Sequence, residues 1–258
     1  MKTTQLIQHI TTWLSNYADN TNHSGFVIGV SGGVDSALTS VLCAMTEKKV
    51  ILVSMPIRQT SAEYTRAMNH ISDTKSRFKN VSSYDIDLSD VFSEFENTMP
   101  FDPESQHLAM ANSRARLRMT TLYAIAQANG CLVTGTGNKI EDFGIGFFTK
   151  YGDGGVDLSP IADLTKTDVW TVSKEVGVID EIVQAKPTDG LWTDGRSDED
   201  QIGASYSELE WAMNFNGEMS TLTERQNTVL KIYTRLNKIN RHKVEPIPVC
   251  IIPENLKV

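Results

Sequence analysis

The chain is short of cysteine, of basic residues and of long apolar runs, and each shortage closes off a class of function. Its three cysteines, Cys43, Cys131 and Cys250, are scattered, and no Cys-x-x-Cys pair occurs. They read as reduced thiols rather than as a disulfide framework or a metal or redox site, which suits a cytoplasmic protein. Lys and Arg number 24 against 32 Asp and Glu, a net charge of -8. A nucleic-acid surface needs a basic face to neutralise phosphates, so nucleic acid is not an expected partner. A small anion stays admissible, because a few Arg and Lys reverse the field inside a cleft. No run of eighteen apolar residues occurs, and Met1 to Tyr17 is polar and amphipathic without an apolar h-region. Neither a membrane span nor a signal peptide is expected.

What is present is 258 residues with 40% hydrophobic content, enough for one domain spanning 1–258. Leu6, Ile10, Trp13, Leu14 and Tyr17 recur at helical spacing and predict a helix over about 4–19. Short apolar strands follow at 26–30, 50–55, 81–86 and 131–134, separated by helices at 35–45, 61–78 and 108–129. Such βαβαβαβ alternation predicts an α/β fold: a doubly wound, mostly parallel sheet with helices on both faces and ligands at the carboxyl ends of its strands. Residues 135–163 are glycine-rich with little periodicity and read as a long functional loop. Helices resume at 166–175, 206–213 and 222–238, with a Pro, Gly and Asp-rich loop at 186–200.

The chemistry starts at Ser31-Gly32-Gly33-Val34-Asp35-Ser36, between the first strand and its helix. Glycines let backbone N–H groups crowd an anion, and the helix N-terminus adds its positive dipole end. A P-loop is excluded, because no lysine follows these glycines until Lys48. Gly29-Val30-Ser31-Gly32-Gly33 also satisfies G-x-S-x-G, the serine-hydrolase elbow, which would make Ser31 a nucleophile. Against that, the elbow comes at the first strand, no HGGG-like oxyanion segment is present, and His70, His107 and His242 are the available bases. Asp35 discriminates further. As a first-turn acid it is commonplace, but beside bound phosphate a carboxylate repels the ligand unless a cation such as magnesium lies between them.

SGGVDS resembles the PP-loop of ATP pyrophosphatases, which cleave ATP between the α and β phosphates. Gly135-Thr136-Gly137-Asn138-Lys139, the ten residues FTKYGDGGVD at 148–157 (here Phe148 to Asp157), Lys186-Pro187-Thr188, Asp198-Glu199-Asp200 and Ala115-Arg116-Leu117-Arg118-Met119 extend the similarity over roughly 25–243. In these segments the sequence is similar to the ammonia-dependent NAD synthetases. The resemblance implies a five-stranded core, a homodimer, and adenylation of the carboxylate of deamido-NAD by ATP with loss of pyrophosphate. Ammonia then displaces AMP to give NAD, with no room here for the amidase domain of the glutamine-dependent relatives. Carried over position by position, Gly29, Val30, Ser31, Gly32, Gly33, Val34, Asp35 and Ser36 hold the ATP phosphates, and Thr136, Lys166 and Thr188 contact ATP. Asp35 and Glu141 hold Mg2+, while Arg116, Lys150, Asp157, His242 and Lys243 contact deamido-NAD.

One departure concerns the metal. In the family the glutamate stands four positions before the glycine that precedes FTKYGD, whereas Glu141 and Gly146 are five apart with Asp142 adjacent. The second metal role is thus open between Glu141 and Asp142, with the spacing from Thr136 favouring Glu141. Other readings of the chain are a PP-loop AMP-forming amidase for a different acid, the serine hydrolase using Ser31, and a catalytically silent nucleotide-binding module. Arg114, Arg116 and Arg118 alternate on one helix and cannot share a face. By position alone His242-Lys243 is an exposed tail, and the glycine-rich 144–155 and the 186–200 loop are candidate lids.

Overall fold

A strand covered on both faces must be apolar along its whole length, and β1 (Gly25–Gly29) is buried at every position but the last, which is half-buried. The structure is a computed structural model that describes residues 2–188 and 197–257. β1 pairs in parallel with β2 (Lys49–Ser54) on one side and with β4 (Cys131–Val133) on the other, and β2 pairs with β3 (Val81–Asp85). The order is β3-β2-β1-β4. Among the described residues the sheet has four strands where five were expected. Beyond β4 the chain supplies one parallel bridge, Thr134 to Leu158. That segment leaves a glycine-rich turn and meets Pro160 two residues later, which leaves little room to extend the ladder.

Side-chain alternation sends the strand residues to two cores. Phe26, Ile28, Val50 and Leu52 pack with α1 (Thr3–Asn20), α2 (Val34–Ala44), α3 (Ser61–Arg77) and α6 (Lys166–Glu175). Val27, Ile51, Val53 and Val133 pack with α4 (Ser89–Asn97) and α5 (His107–Asn129). Helices therefore cover both faces, as the alternating pattern predicts. A third cluster around Ile140, Tyr206, Leu209 and Val229 joins a π-helix (Lys139–Ile145) to α9 (Tyr206–Asn214) and α10 (Glu224–Val244). Two short helices, α7 (Asp180–Val183) and α8 (Asp198–Ile202), complete the set.

The connections fix where a ligand goes. The chain runs from β1 outward to β2 and β3, then returns to place β4 on the other side of β1. The crevice of a doubly wound sheet opens at such a reversal, beyond the carboxyl ends of β1 and β4. Both the SGGVDS turn and the GTGNK segment emerge there.

Local chemistry sets the helix starts. Thr165, Ser205 and Thr223 form capping boxes with Asp168, Glu208 and Gln226. Thr60 accepts from Glu63 N to cap α3. The stretch at 139–145, expected as loop, is helical with the wider π winding. A turn closed by i→i+5 bonds holds one more residue than an α-turn, and this one ends at Gly146. α10 runs to Val244 rather than stopping near 238. α4 was not anticipated, since only Phe92 of its nine residues is buried.

Candidate active site

The glycine turn is held by its own serines. Ser36 Oγ donates to Gly33 O at 3.0 Å and accepts from Ser31 N at 3.2 Å. Ser31 Oγ accepts from Gly33 N at 3.2 Å and lies 3.1 Å from Ser36 Oγ. Gly32 has φ +85°, and a Cβ there would stand 2.8 Å from Glu63 O, so only glycine fits between the turn and α3. The N-cap of α2 is Gly33, with no side chain over the first N–H groups. Ser31 and Gly33 beside those donors are exposed, an arrangement that suits phosphate. No described hydrogen bond joins Ser31 to a histidine. His70 Nε2 is 2.7 Å from Ser40 Oγ within the core, and His242 lies at the end of α10. Among the described residues Ser31 is bonded to Ser36 and Gly33 and to none of His70, His107 and His242, so nothing described activates it as an elbow nucleophile.

Asp35, in the first turn of α2, meets the π-helix and the start of α6. Lys166 Nζ donates to Asp35 Oδ2 at 2.6 Å and to Glu141 Oε1 at 2.9 Å. The three side chains are 3%, 16% and 15% exposed for Lys166, Asp35 and Glu141, so the ammonium sits in a largely desolvated seat. Burial would lower Lys166, but Asp35 and then Glu141 outweigh it and hold the ammonium above its usual range. Burial pushes Glu141 upward and Lys166 opposes it. Two groups given no role from sequence complete the seat. Fully buried Asn138 donates from Nδ2 to Asp35 Oδ1 at 2.9 Å, and Tyr206 OH donates to Glu141 Oε1 at 2.5 Å. Tyr206 also lies 3.3 Å from Asp198 Oδ2 and has its ring centroid 4.8 Å from Lys166 Nζ.

Asp142 stands apart from this seat. Its carboxylate turns toward Gly137, where a Cβ would approach Oδ2 to 1.9 Å. Burial, and then Asp153, Glu141 and Asp35, push its carboxyl up to about 8. Geometry thus pairs Glu141, rather than Asp142, with Asp35. Of the other ATP candidates, Thr136 is half-buried just past the β4 bridge, and exposed Thr188 donates to Glu63 Oε1 at 3.3 Å, beside the glycine turn.

Four candidates for the second substrate converge from three elements. Arg116 Nε of α5 donates to Lys150 O at 3.3 Å, and Lys150 Nζ donates to His242 O at 2.6 Å. Lys243 Nζ donates to Gly146 O at 2.8 Å and Phe148 O at 2.7 Å. Asp157 is placed elsewhere, accepting from Tyr123 OH at 3.1 Å and Val133 N at 2.8 Å. The glycine-rich 144–155 segment is fastened to α10 by these lysines and by Asn237 and Asn240, which donate to Gly144 O and Ile145 O. His242 and Lys243 are therefore part of a helix end, not a free tail. The central part of the 186–200 loop lies outside the described residues. Arg118, not assigned a role from sequence, donates to Met55 O at 3.0 Å, and burial with Arg114 nearby lowers it to about 10.

A phosphate-accepting turn with two carboxylates and a lysine at the switch point of a parallel sheet defines a nucleotide-handling α/β protein of the PP-loop class. The sequence matches the family described as NAD synthase over residues 6–247, and the chain belongs to that family. It is 38% identical over 205 residues to an NH3-dependent NAD+ synthetase of Methanosarcina acetivorans, covering 78% of this chain and 77% of that one. With the enzyme of the same description from Malacoplasma penetrans it shares 37% identity over 245 residues, 93% and 91% of the two chains. Among solved structures, the NMN synthetase of Francisella tularensis superposes with a TM-score of 0.85 at 28% identity, covering 98% of this chain and 99% of that one.

Proposed function

We infer that this chain carries out the ATP-dependent amidation of deamido-NAD by ammonia, through an adenylated carboxylate, with release of AMP and pyrophosphate. The observation that carries the reading is the cation seat: Asp35 of the phosphate turn and Glu141 of the π-helix close on one ammonium at the β1–β4 crevice. Two carboxylates aimed at one positive charge, next to a turn built for phosphate, fit Mg2+. Among the described residues no three His, Cys, Asp or Glu side chains gather as a metal site. An ion held by two carboxylates would take its remaining ligands from phosphate oxygens and water. Asp35 and Glu141 would hold it, and when bound it would supply positive charge to offset that of the phosphates.

The chain's own groups do the rest. The glycine turn orients the ATP phosphates, with Ser31 as the hydroxyl donor and Ser36 holding the turn through its own bond to Gly33 O, and Lys166 offers a second positive charge to the same oxygens. Thr136 and Thr188 flank that nucleotide. Arg116, Lys150, His242 and Lys243 form the anchoring surface for the phosphates of deamido-NAD, and Asp157 contacts it from the β4 side. A carboxylate oxygen of the nicotinate attacks the α-phosphorus and pyrophosphate leaves. Ammonia then attacks the acyl carbon, and AMP leaves with that oxygen. No side chain is required as a nucleophile, so catalysis is positioning and charge neutralisation.

A second acid substrate is favoured by the likeness to the NMN synthetase of Francisella tularensis, which points to the mononucleotide acid. Product analysis separates these readings. With ATP, Mg2+ and ammonium, deamido-NAD is expected to give NAD, AMP and pyrophosphate in equal amounts. Faster turnover of nicotinate mononucleotide transfers the assignment to the smaller acid, and ADP as product sinks both. The protein is also proposed to act as a homodimer in the cytoplasm. Leu108 of α5 is 66% exposed, and Leu117, Leu122 and Tyr123 on the same helix are only partly covered. Among the described residues no helix is long and apolar enough to cross a membrane.

A further inference from the structure

Asp35 and Glu141, read above as the magnesium pair, share a second partner besides Lys166. Asp35 Oδ1 and the backbone that carries Glu141 are both tied to one side chain, Asn138. Its Oδ1 accepts from Ile140 N and Glu141 N, each at 3.1 Å, so it caps the π-helix at the residue that bears the carboxylate. Its Nδ2 donates to Asp35 Oδ1 at 2.9 Å, on the oxygen that Lys166 does not use. The amide is fully buried, and only one orientation satisfies it. Reversing it would aim the NH2 group at two N–H donors and the oxygen at a carboxylate. The neighbouring backbone is also fixed, since Lys139 N donates to Leu164 O at 2.8 Å, two residues before Lys166.

We propose that Asn138 is the positioning residue of the metal site, setting the separation of Asp35 and Glu141 by holding one carboxylate with its NH2 group and the helix of the other with its carbonyl. The inference rests on the reading of Asp35 and Glu141 as the magnesium pair. An amide is the one side chain of this size that can donate in one direction and accept two bonds in the other. Aspartate would oppose Asp35 with like charge, and serine keeps a capping oxygen but has no donor long enough to reach Asp35. Outer-sphere partners of this kind cost about 10–100-fold in metal affinity or activity when removed.

The test compares Asn138→Ser and Asp35→Asn in the full-length protein. The probe is Mn2+ in the presence of a non-hydrolysable ATP analogue, read by electron paramagnetic resonance of the free ion. Asn138→Ser is expected to weaken Mn2+ binding by about tenfold or more, and to raise the Mg2+ concentration needed for half-maximal turnover equally. The KM for deamido-NAD and the metal-free affinity for the analogue should stay near the wild type. Unchanged Mn2+ affinity in Asn138→Ser alongside a large loss in Asp35→Asn overturns the role of Asn138 alone. Unchanged affinity in Asp35→Asn overturns the metal pair and the inference with it. Equal losses of metal-free nucleotide binding would mark Asn138 as structural only and also overturn it. If Asn138→Ser does not fold, the wild-type side-chain amide signal of Asn138 serves instead: it is expected to move when Mg2+ joins the analogue, and a stationary signal refutes the proposal.

Discussion

A tyrosine hydroxyl carries more of the site than its place in the sequence suggests. Tyr206 opens α9 on the face that fills the third core, and its ring is fully buried. Only its oxygen is chemical. Burial, and then Glu141 and Asp198, hold the phenol above its usual range, so it stays a donor to Glu141 at any working pH. Tyr206→Phe keeps the ring and removes the donor. The expected result is a fall in kcat of about 10–100-fold with a higher Mg2+ requirement, and an unchanged unfolding midpoint would show that the loss is not structural. Initial rates against free Mg2+ give the answer, and wild-type rates in the variant would refute the role.

The π-helix is the element on which the site turns. It places Glu141 inward, buries Ile140 and Ile145, and ends at Gly146 with φ +65°. A Cβ at Gly146 would lie 2.4 Å from Asn240 Cβ, the residue whose amide donates to Ile145 O. Gly146→Ala therefore forces strain at a left-handed position and pushes α10 away. A loss of about 1–3 kcal/mol is expected, measured by urea denaturation, together with weaker binding of deamido-NAD because Lys243 and Lys150 reach across the same junction. Unchanged stability would contradict the close approach.

The same element shows where sequence reading stopped. Strands β1, β2 and β4 and the glycine turn were legible because apolar runs and paired glycines are local signals. The π-winding and the last six residues of α10 were not. Polar tertiary bonds hold them: Asn237, Asn240 and Lys243 cap the carbonyls of 144–148, and no apolar period announces such contacts. Asn138 stood in the GTGNK segment, but nothing in its type separates a loop amide from a cap that reaches Asp35. Tyr206 followed a Ser-x-x-Glu capping signal on an apolar face, which reads as core. The fifth strand was expected from likeness rather than periodicity, and a single bridge at Leu158 stands in its place.

At the scale of the whole molecule, the core that supports the glycine turn contains a histidine. His70 of α3 is inaccessible to solvent and packs against Ser40 of α2. Burial lowers it from 6.5 to about 4. The folded state thus keeps it neutral while the unfolded chain takes a proton below 6.5, so stability is full above that value and falls as pH drops toward about 4. The lost stability amounts to about 3 kcal/mol. Thermal unfolding at pH 7 and pH 4 should show a smaller decline for His70→Asn than for the wild type, and parallel declines would contradict the assignment.

The central claim is that the acid is activated by AMP at the Asp35–Glu141 seat, and oxygen transfer reports it directly. Deamido-NAD carrying 18O at both oxygens of its nicotinate carboxylate, turned over with ATP, Mg2+ and ammonia, should place one labelled oxygen in each AMP formed, with none in pyrophosphate. AMP free of label, or label in a phosphate released with ADP, would contradict the account.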